Sequence, residues 1–252
     1  MKKIFKKIPI CIIIITLALN FTSCGFDKNN ATISDIAYNN NSDYYEVYIK
    51  ENGKYVPFLV LESDYKKGKT LLLRKECLPD LRRFNDYSSY YENSEIDTYL
   101  SDVYLSCLGD MCDYIEPIDI DIAAREALGV SGRQCTKISR RVFLLSQEEI
   151  CSSGKYDVKE GKNIDHFKKN RNRKCSLNGE RVTWMLRTPE TYYSSAVCVF
   201  TWDDKISIQN AYEKAGIRPA FCIDSSTKVS YEGNGGGRFV IMHEGPESTG
   251  EE

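Results

Sequence analysis

Histidine is almost missing from this 252-residue chain, which has only His166 and His243. That scarcity sharply limits metal ligation and acid/base catalysis, the two tasks imidazole performs most often. No C-x-x-C pair occurs and no histidine stands at zinc-ligand spacing from a cysteine, so neither a zinc knuckle nor a redox dithiol is expected. G-x-S-x-G, H-E-x-x-H and Walker patterns are absent as well. The glycine run Gly233 to Gly237 lacks the Lys-Ser/Thr ending of a phosphate loop. The acidic stretch through Asp110, Asp113, Glu116, Asp119 and Asp121 lacks the D-x-D-x-D-G order of a calcium loop and reads as a solvated face. No apolar run approaches the roughly 20 residues that cross a bilayer, which excludes a multi-pass membrane protein. No repeat of 20 to 50 residues stands out. What is present, 42% hydrophobic and 28% charged residues, is the composition of an ordinary globular protein.

The first 23 residues have the three parts of an export signal: a basic start with Lys2, Lys3, Lys6 and Lys7, an apolar run from Ile8 to Leu19, and small or polar residues before Cys24. Phe21-Thr22-Ser23-Cys24-Gly25 resembles a bacterial lipobox, in which the cysteine thiol receives a diacylglyceryl group and the chain is cut just before it. Phe21 replaces the usual leucine. Lipidation at Cys24 would anchor the protein on the extracytoplasmic face of the cell membrane, since each buried methylene contributes roughly 0.8 kcal/mol. The stretch to residue 43, rich in asparagine, reads as a flexible tether. The leader holds four lysines and no carboxylate, so the remaining 229 residues carry 30 basic against 36 acidic side chains. A body of net charge −6 offers no general field for nucleic acid, and none is expected as a partner.

Of ten cysteines, Cys11 leaves with the leader and Cys24 with the lipid, leaving Cys77, Cys107, Cys112, Cys135, Cys151, Cys175, Cys198 and Cys222. An even number in an exported chain makes disulfides plausible, but eight cysteines allow 105 connectivities and the pairing stays open. Cys198 and Cys222 lie on strand-like runs and also suit the role of small buried apolar residues.

From Tyr44 the pattern is β-rich: Tyr44 to Lys50, an Asn52-Gly53 turn, Tyr55 to Leu61, then Thr70 to Arg74. Ile96, Tyr99, Leu100, Val103 and Cys107 follow a Ser94 cap at helical spacing, and a second helix is expected over Asp119 to Leu128. Val142 to Leu145 predicts a strand that runs into a capping box at Ser146 and Glu149. The polar, basic segment Lys155 to Arg173, which includes His166 and Phe167, predicts a solvated loop or helix face rather than a nucleic-acid patch. Strands return over Arg181 to Arg187, Ala196 to Trp202, Lys205 to Gln209 and Ile217 to Ile223, with another over Arg238 to Met242. Without regular βαβ alternation, this order predicts a single α+β domain with an antiparallel sheet and short helices over 44–231, its first and last β regions meeting. Residues 232–252 are expected to form a Gly-rich and acidic tail.

Three stretches carry a family resemblance. Tyr90 to Leu100, Val142-Phe143-Leu144-Leu145-Ser146-Gln147-Glu148-Glu149, and Trp184-Met185-Leu186-Arg187-Thr188-Pro189 with Gly216-Ile217-Arg218-Pro219-Ala220 resemble the signature of the bacterial family called domain of unknown function 6273. Thr188 stands for the family's serine, Glu190 for its glycine and Ile217 for its valine. The resemblance implies a domain common on secreted and lipid-anchored proteins, and it implies no reaction. The Trp/Arg strand, hairpin and closing Gly-x-Arg strand are more loosely similar to the C-type-lectin-like fold of formylglycine-generating enzymes, whose copper-binding cysteine pair has no clear counterpart here. No cofactor or metal is called for.

Trp184, Arg187, Trp202 and Arg218 are the candidate ligand-binding residues. Two guanidiniums can capture a carboxylate, sulfate or sugar acid, and indole faces can stack on a sugar ring. The competing reading, preferred for the arginines, is that each planar fork locks loop carbonyls to neighbouring strands, with at least one tryptophan in the core. The expectation is an extracytoplasmic lipoprotein that binds carbohydrate, peptide or an envelope component. The alternatives are a cell-envelope enzyme and an accessory protein without a small-molecule site.

Overall fold

The computed structural model describes residues 28, 30–39, 45–151, 158–233 and 237–242. The signal segment, Cys24 and His243 lie outside the described residues.

The Asn52-Gly53 turn forms as its chemistry requires, both residues adopting positive φ (50° and 77°) between the strands Glu46–Glu51 and Lys54–Lys66. Lys54–Lys66 pairs with Lys69–Arg74, which pairs in turn with Ala220–Asp224, so that Leu72 faces Phe221. The first and last β regions therefore meet. They join in one eight-stranded sheet, where Leu71, Leu72, Leu73, Phe221, Cys222 and Ile223 are all buried. Strands covered on both faces need continuous apolar runs, which these segments have. Val142–Phe143 closes one edge against Ala220–Asp224. A separate three-stranded sheet, Trp184–Pro189, Ala196–Phe200 and Ile206–Asn210, packs its buried residues into the same core. Short helical segments add their buried residues to the same core, giving a single α+β domain.

Ser94 caps its helix, the hydroxyl accepting from the Asp97 amide at 3.2 Å. Ile96, Leu100 and Tyr104, spaced four apart, are buried on one face. The helix runs as Glu95–Thr98, a π-helical stretch Tyr99–Tyr104, and Leu105–Cys107. The expected capping box at Ser146 and Glu149 is complete in both directions.

Three expectations are corrected. Residues 119–128 are not a helix: Ile118–Ala123 is a strand paired with Cys135–Arg140, followed by a 3-10 turn at Arg125–Ala127. Ile118, Ile120 and Ile122 are buried while Asp119 and Asp121 between them are not, the two-residue period of a half-buried strand. The tether ends earlier than residue 43, because Ala31–Thr32 pairs with Lys228–Glu232 and Ile33, Ile36 and Ala37 are buried. A few apolar residues inside an Asn-rich stretch are lost in its average composition. Likewise the tail does not begin at 232. Arg238–Ile241 enters the main sheet as a strand parallel to Glu46–Glu51, with Phe239, Val240 and Ile241 buried.

Candidate functional site

The four candidate residues separate into different environments. Arg187 is fully buried and every donor of its guanidinium is used. Nε donates to the Asp121 carbonyl at 3.0 Å, Nη1 to the Leu144 carbonyl and Glu149 Oε2 at 2.8 Å each, and Nη2 to Glu149 Oε1 at 3.0 Å and the Glu160 carbonyl at 2.8 Å. Tyr65 donates to the Glu149 carboxylate and Thr188 to that of Glu160. Burial alone would lower the Arg187 pKa, yet Glu149 first, then Tyr65 and Glu160, hold it above its ordinary value. Burial pushes the Glu160 carboxyl up to about 7, against the pull of Arg187, the Thr188 hydroxyl and the Ala123 amide. This arginine ties the strand Trp184–Pro189 to the capping box and to the strand Ile118–Ala123. It has no donor left for a ligand, so its assignment to ligand capture is corrected.

Trp184 is 1% exposed, its indole N–H donating to the Arg173 carbonyl at 3.0 Å. It too belongs to the core and is withdrawn as a stacking platform. Trp202 is the opposite case, 63% exposed in the turn between Ala196–Phe200 and Ile206–Asn210. The structure does not bring the two indoles together on one binding face.

Arg218 differs from Arg187 in one respect that matters. It is as deeply buried, and its Nε and Nη2 donate to the carbonyls of Arg74 (3.1 Å) and Lys75 (3.0 Å), while its guanidinium lies 4.8 Å from the Trp184 ring centroid. Its Nη1, however, is buried without a hydrogen-bond partner. Burial, and next the charge of Arg74, pull its pKa down to about 9, so it remains a cation at neutral pH. An unpartnered buried donor costs about 1–3 kcal/mol, which makes it a position that gains from an acceptor.

Arg218 lines a cavity of about 440 Å3, within the usual range for small-ligand pockets. Tyr45, Lys75, His166, Arg171 and Arg181 line it too. The local sequence explains the construction. Two 3-10 turns, Asp165–Lys168 and Asn170–Arg173, fold the basic segment over the core by burying His166 and Phe167. Asn172 donates to the His166 carbonyl at 2.8 Å and Arg173 to the Phe167 carbonyl at 2.8 Å. The segment then leads into Cys175, which forms a disulfide with Cys77, so one bridging cysteine stands in the cavity wall. Gly216 of the Gly-Ile-Arg-Pro-Ala stretch is required here, because a Cβ at that position would lie 2.6 Å from Cys77 Sγ. Cys198 and Cys222 are buried on strands, as their apolar reading expected.

His166 is the site residue that sequence reasoning missed. It is 2% exposed, ringed by Tyr38, Tyr45 and Phe167, and its Nδ1 is buried without a partner. Burial, then the charges of Arg218 and Lys169, pull its pKa down to about 3, so the ring is neutral at physiological pH. The available signal was the His166-Phe167 pair, two ring side chains in an otherwise charged loop. A stability prediction follows. Since the native pKa lies below the ordinary value of about 6.5, the unfolded chain takes up this proton first as pH falls, and native stability is lost downward from pH 6.5. Compared with His166→Phe, the wild type is expected to lose about 2 kcal/mol more between pH 7 and pH 5, read from urea unfolding curves. Parallel pH profiles for the two proteins would refute the assignment.

The charge around the cavity is mostly positive. Lys75 is paired with Glu46 at 2.5 Å and Lys174 with Asp204 at 3.1 Å, whereas Arg171 and Arg181 make no ion pair among the described residues. The same wall holds an acid, Glu76, which makes no ion pair among the described residues and accepts from the Ser176 hydroxyl at 3.3 Å. The arrangement can hold a small polar molecule against a buried cation.

Comparison with protein families gives one match: residues 67–225 fit a family described as Domain of unknown function (DUF6273). No curated protein and no solved structure matches the chain. The matched span contains the paired strands Lys69–Arg74 and Ala220–Asp224, Arg187 with its acceptors and most of the cavity wall, but not the sheet's interior strands Glu46–Glu51 and Arg238–Ile241.

Proposed function

We propose, for a chain that belongs to the domain of unknown function 6273 family, a role as a lipid-anchored binding module on the extracytoplasmic face of a bacterial membrane, with the cavity at Arg218 and His166 as its ligand pocket. The observation that carries the pocket is the pair of nearly fully buried side chains lining one cavity, each with an unpartnered polar atom. The three-part leader and the lipobox at Cys24 support export and anchoring. The Cys77–Cys175 bridge supports an oxidising compartment. No helix among the described residues is long and apolar enough to cross a membrane. In this reading the fold is a relative of the C-type-lectin-like fold, supported by the buried Trp184/Arg187 strand, the hairpin after it and the closing Gly-Ile-Arg segment.

Binding is preferred to thiol catalysis because the cysteine sharing the cavity with His166 is held in the bridge. Two experiments test the proposal. In a bacterial host fed an alkyne-tagged fatty acid, the full chain is expected to carry label in the membrane fraction and the Cys24→Ala chain to carry none. Unlabelled wild type would remove the anchor. A glycan and peptide array probed with the 24–252 body is expected to give selective binding, and a blank array would favour an accessory role without a small-molecule site.

A further inference from the structure

We propose that the cavity is built for a sugar acid, a small polyhydroxylated molecule whose carboxylate is received by the free edge of Arg218 beside His166. This rests on the reading of the cavity as a ligand pocket and names the class of ligand. The argument begins with the guanidinium. Nε and Nη2 of Arg218 are fixed by main-chain carbonyls, so the group cannot turn to find another acceptor, and Nη1 is left as a stationary donor. A charge-assisted bond from such a donor to a carboxylate is stronger than one to a neutral oxygen and also relieves the cost of the unpartnered N–H.

Two further cations, Arg171 and Arg181, line the same cavity without carboxylate partners, so the field favours an anion. His166 adds a second unpartnered polar atom to the same wall: its Nδ1 is a donor to a carboxylate in the neutral tautomer that carries the proton there. Hydroxyl groups find their complements elsewhere on the wall. Glu76 is an acceptor, Ser176 a hydroxyl, and Asn172, which gives one amide N–H to the His166 carbonyl, also carries an amide oxygen. The presence of Glu76 also weighs against a dianionic phosphate, which would meet an uncompensated carboxylate within the pocket.

Isothermal titration of the 24–252 body with glucuronate, glucose and inorganic phosphate tests this. Glucuronate is expected to bind, and glucose at least tenfold more weakly. Arg218→Gln should abolish binding. Because that change also removes bonds to Arg74 and Lys75, Arg171→Ser/Arg181→Ser serves as a second variant: both side chains lie toward the surface, and the double change should keep the wild-type unfolding midpoint while weakening glucuronate at least tenfold. Equal binding of glucose and glucuronate overturns the proposal, as does binding of phosphate without glucuronate, or a double variant that binds as wild type. If none of the three probes binds but the array shows selective ligands, the sugar-acid assignment fails and the binding module stands. A blank array as well would end both.

Discussion

Arg187→Gln is expected to cost about 3–5 kcal/mol of folding stability, the largest effect of any single substitution considered for this protein. The reason is the state of what remains. Glu149 and Glu160 are fully buried, and Arg187 donates two hydrogen bonds to the Glu149 carboxylate and one to the Glu160 carbonyl. Glutamine removes the positive charge and leaves two carboxyl groups facing each other without it, along with the carbonyls of Leu144, Asp121 and Glu160. At roughly 2–4 °C per kcal/mol for a domain of this size, the melting temperature should fall by about 10 °C. The pH response supplies a signature that a simple cavity would not. With the guanidinium gone, burial acts on the Glu160 carboxyl without the opposing pull of Arg187 and favours its neutral form, so the variant should recover part of its lost stability as pH falls from 8 to 5. A thermal shift under about 2 °C, or a loss independent of pH, would contradict the network described. Arg187 does not line the cavity, so whatever fraction of the variant folds should bind ligand as the wild type does.

Removal of the Cys77–Cys175 bridge is expected to be nearly as costly. The two residues are separated by 98 positions, and the chain-entropy estimate for closing a loop of about 100 residues is about 4.7 kcal/mol at 25 °C. The Cys77→Ala/Cys175→Ala protein should therefore unfold at a clearly lower urea concentration than the wild type, and the wild type in excess reductant should approach it. Coincident midpoints with and without reductant would show that the bridge constrains nothing. The same change reaches the pocket. Cys175 stands in the cavity wall, and the Cys77 carbonyl is held by Arg74 Nη1 at 2.5 Å, on the residue whose own carbonyl anchors Arg218. Ligand binding by the unbridged protein, measured well below its unfolding midpoint, should be weaker than by the bridged form.

Where sequence reasoning succeeded, the cause of the structure was local. The Asn52-Gly53 hairpin rests on two residues that tolerate positive φ, the helix start at Ser94 on one hydroxyl, and the capping box on Ser146 and Glu149 three positions apart. Apolar runs such as Leu71 to Leu73 and Ala220 to Ile223 identify buried strands wherever they pair. Local signals misled at residues 119–128, where an alternating pattern of isoleucine and aspartate was outweighed by good helix formers further on.

By itself, then, the sequence determined the domain family, the α+β class, the strands of the first and last β regions and the two helix caps. Only the tertiary structure decided what each arginine is committed to. Arg187 and Arg218 occupy equivalent-looking places beside a proline, and nothing local distinguishes them. The difference lies in partners 27 to 144 positions away: the Glu149 carboxylate and the carbonyls of Asp121, Leu144 and Glu160 take every donor of the first, while the second receives only two carbonyls and keeps one unpartnered donor on a residue that lines a cavity with His166. Charge satisfaction is a property of everything within a few ångströms, and a chain brings those atoms together only when it folds.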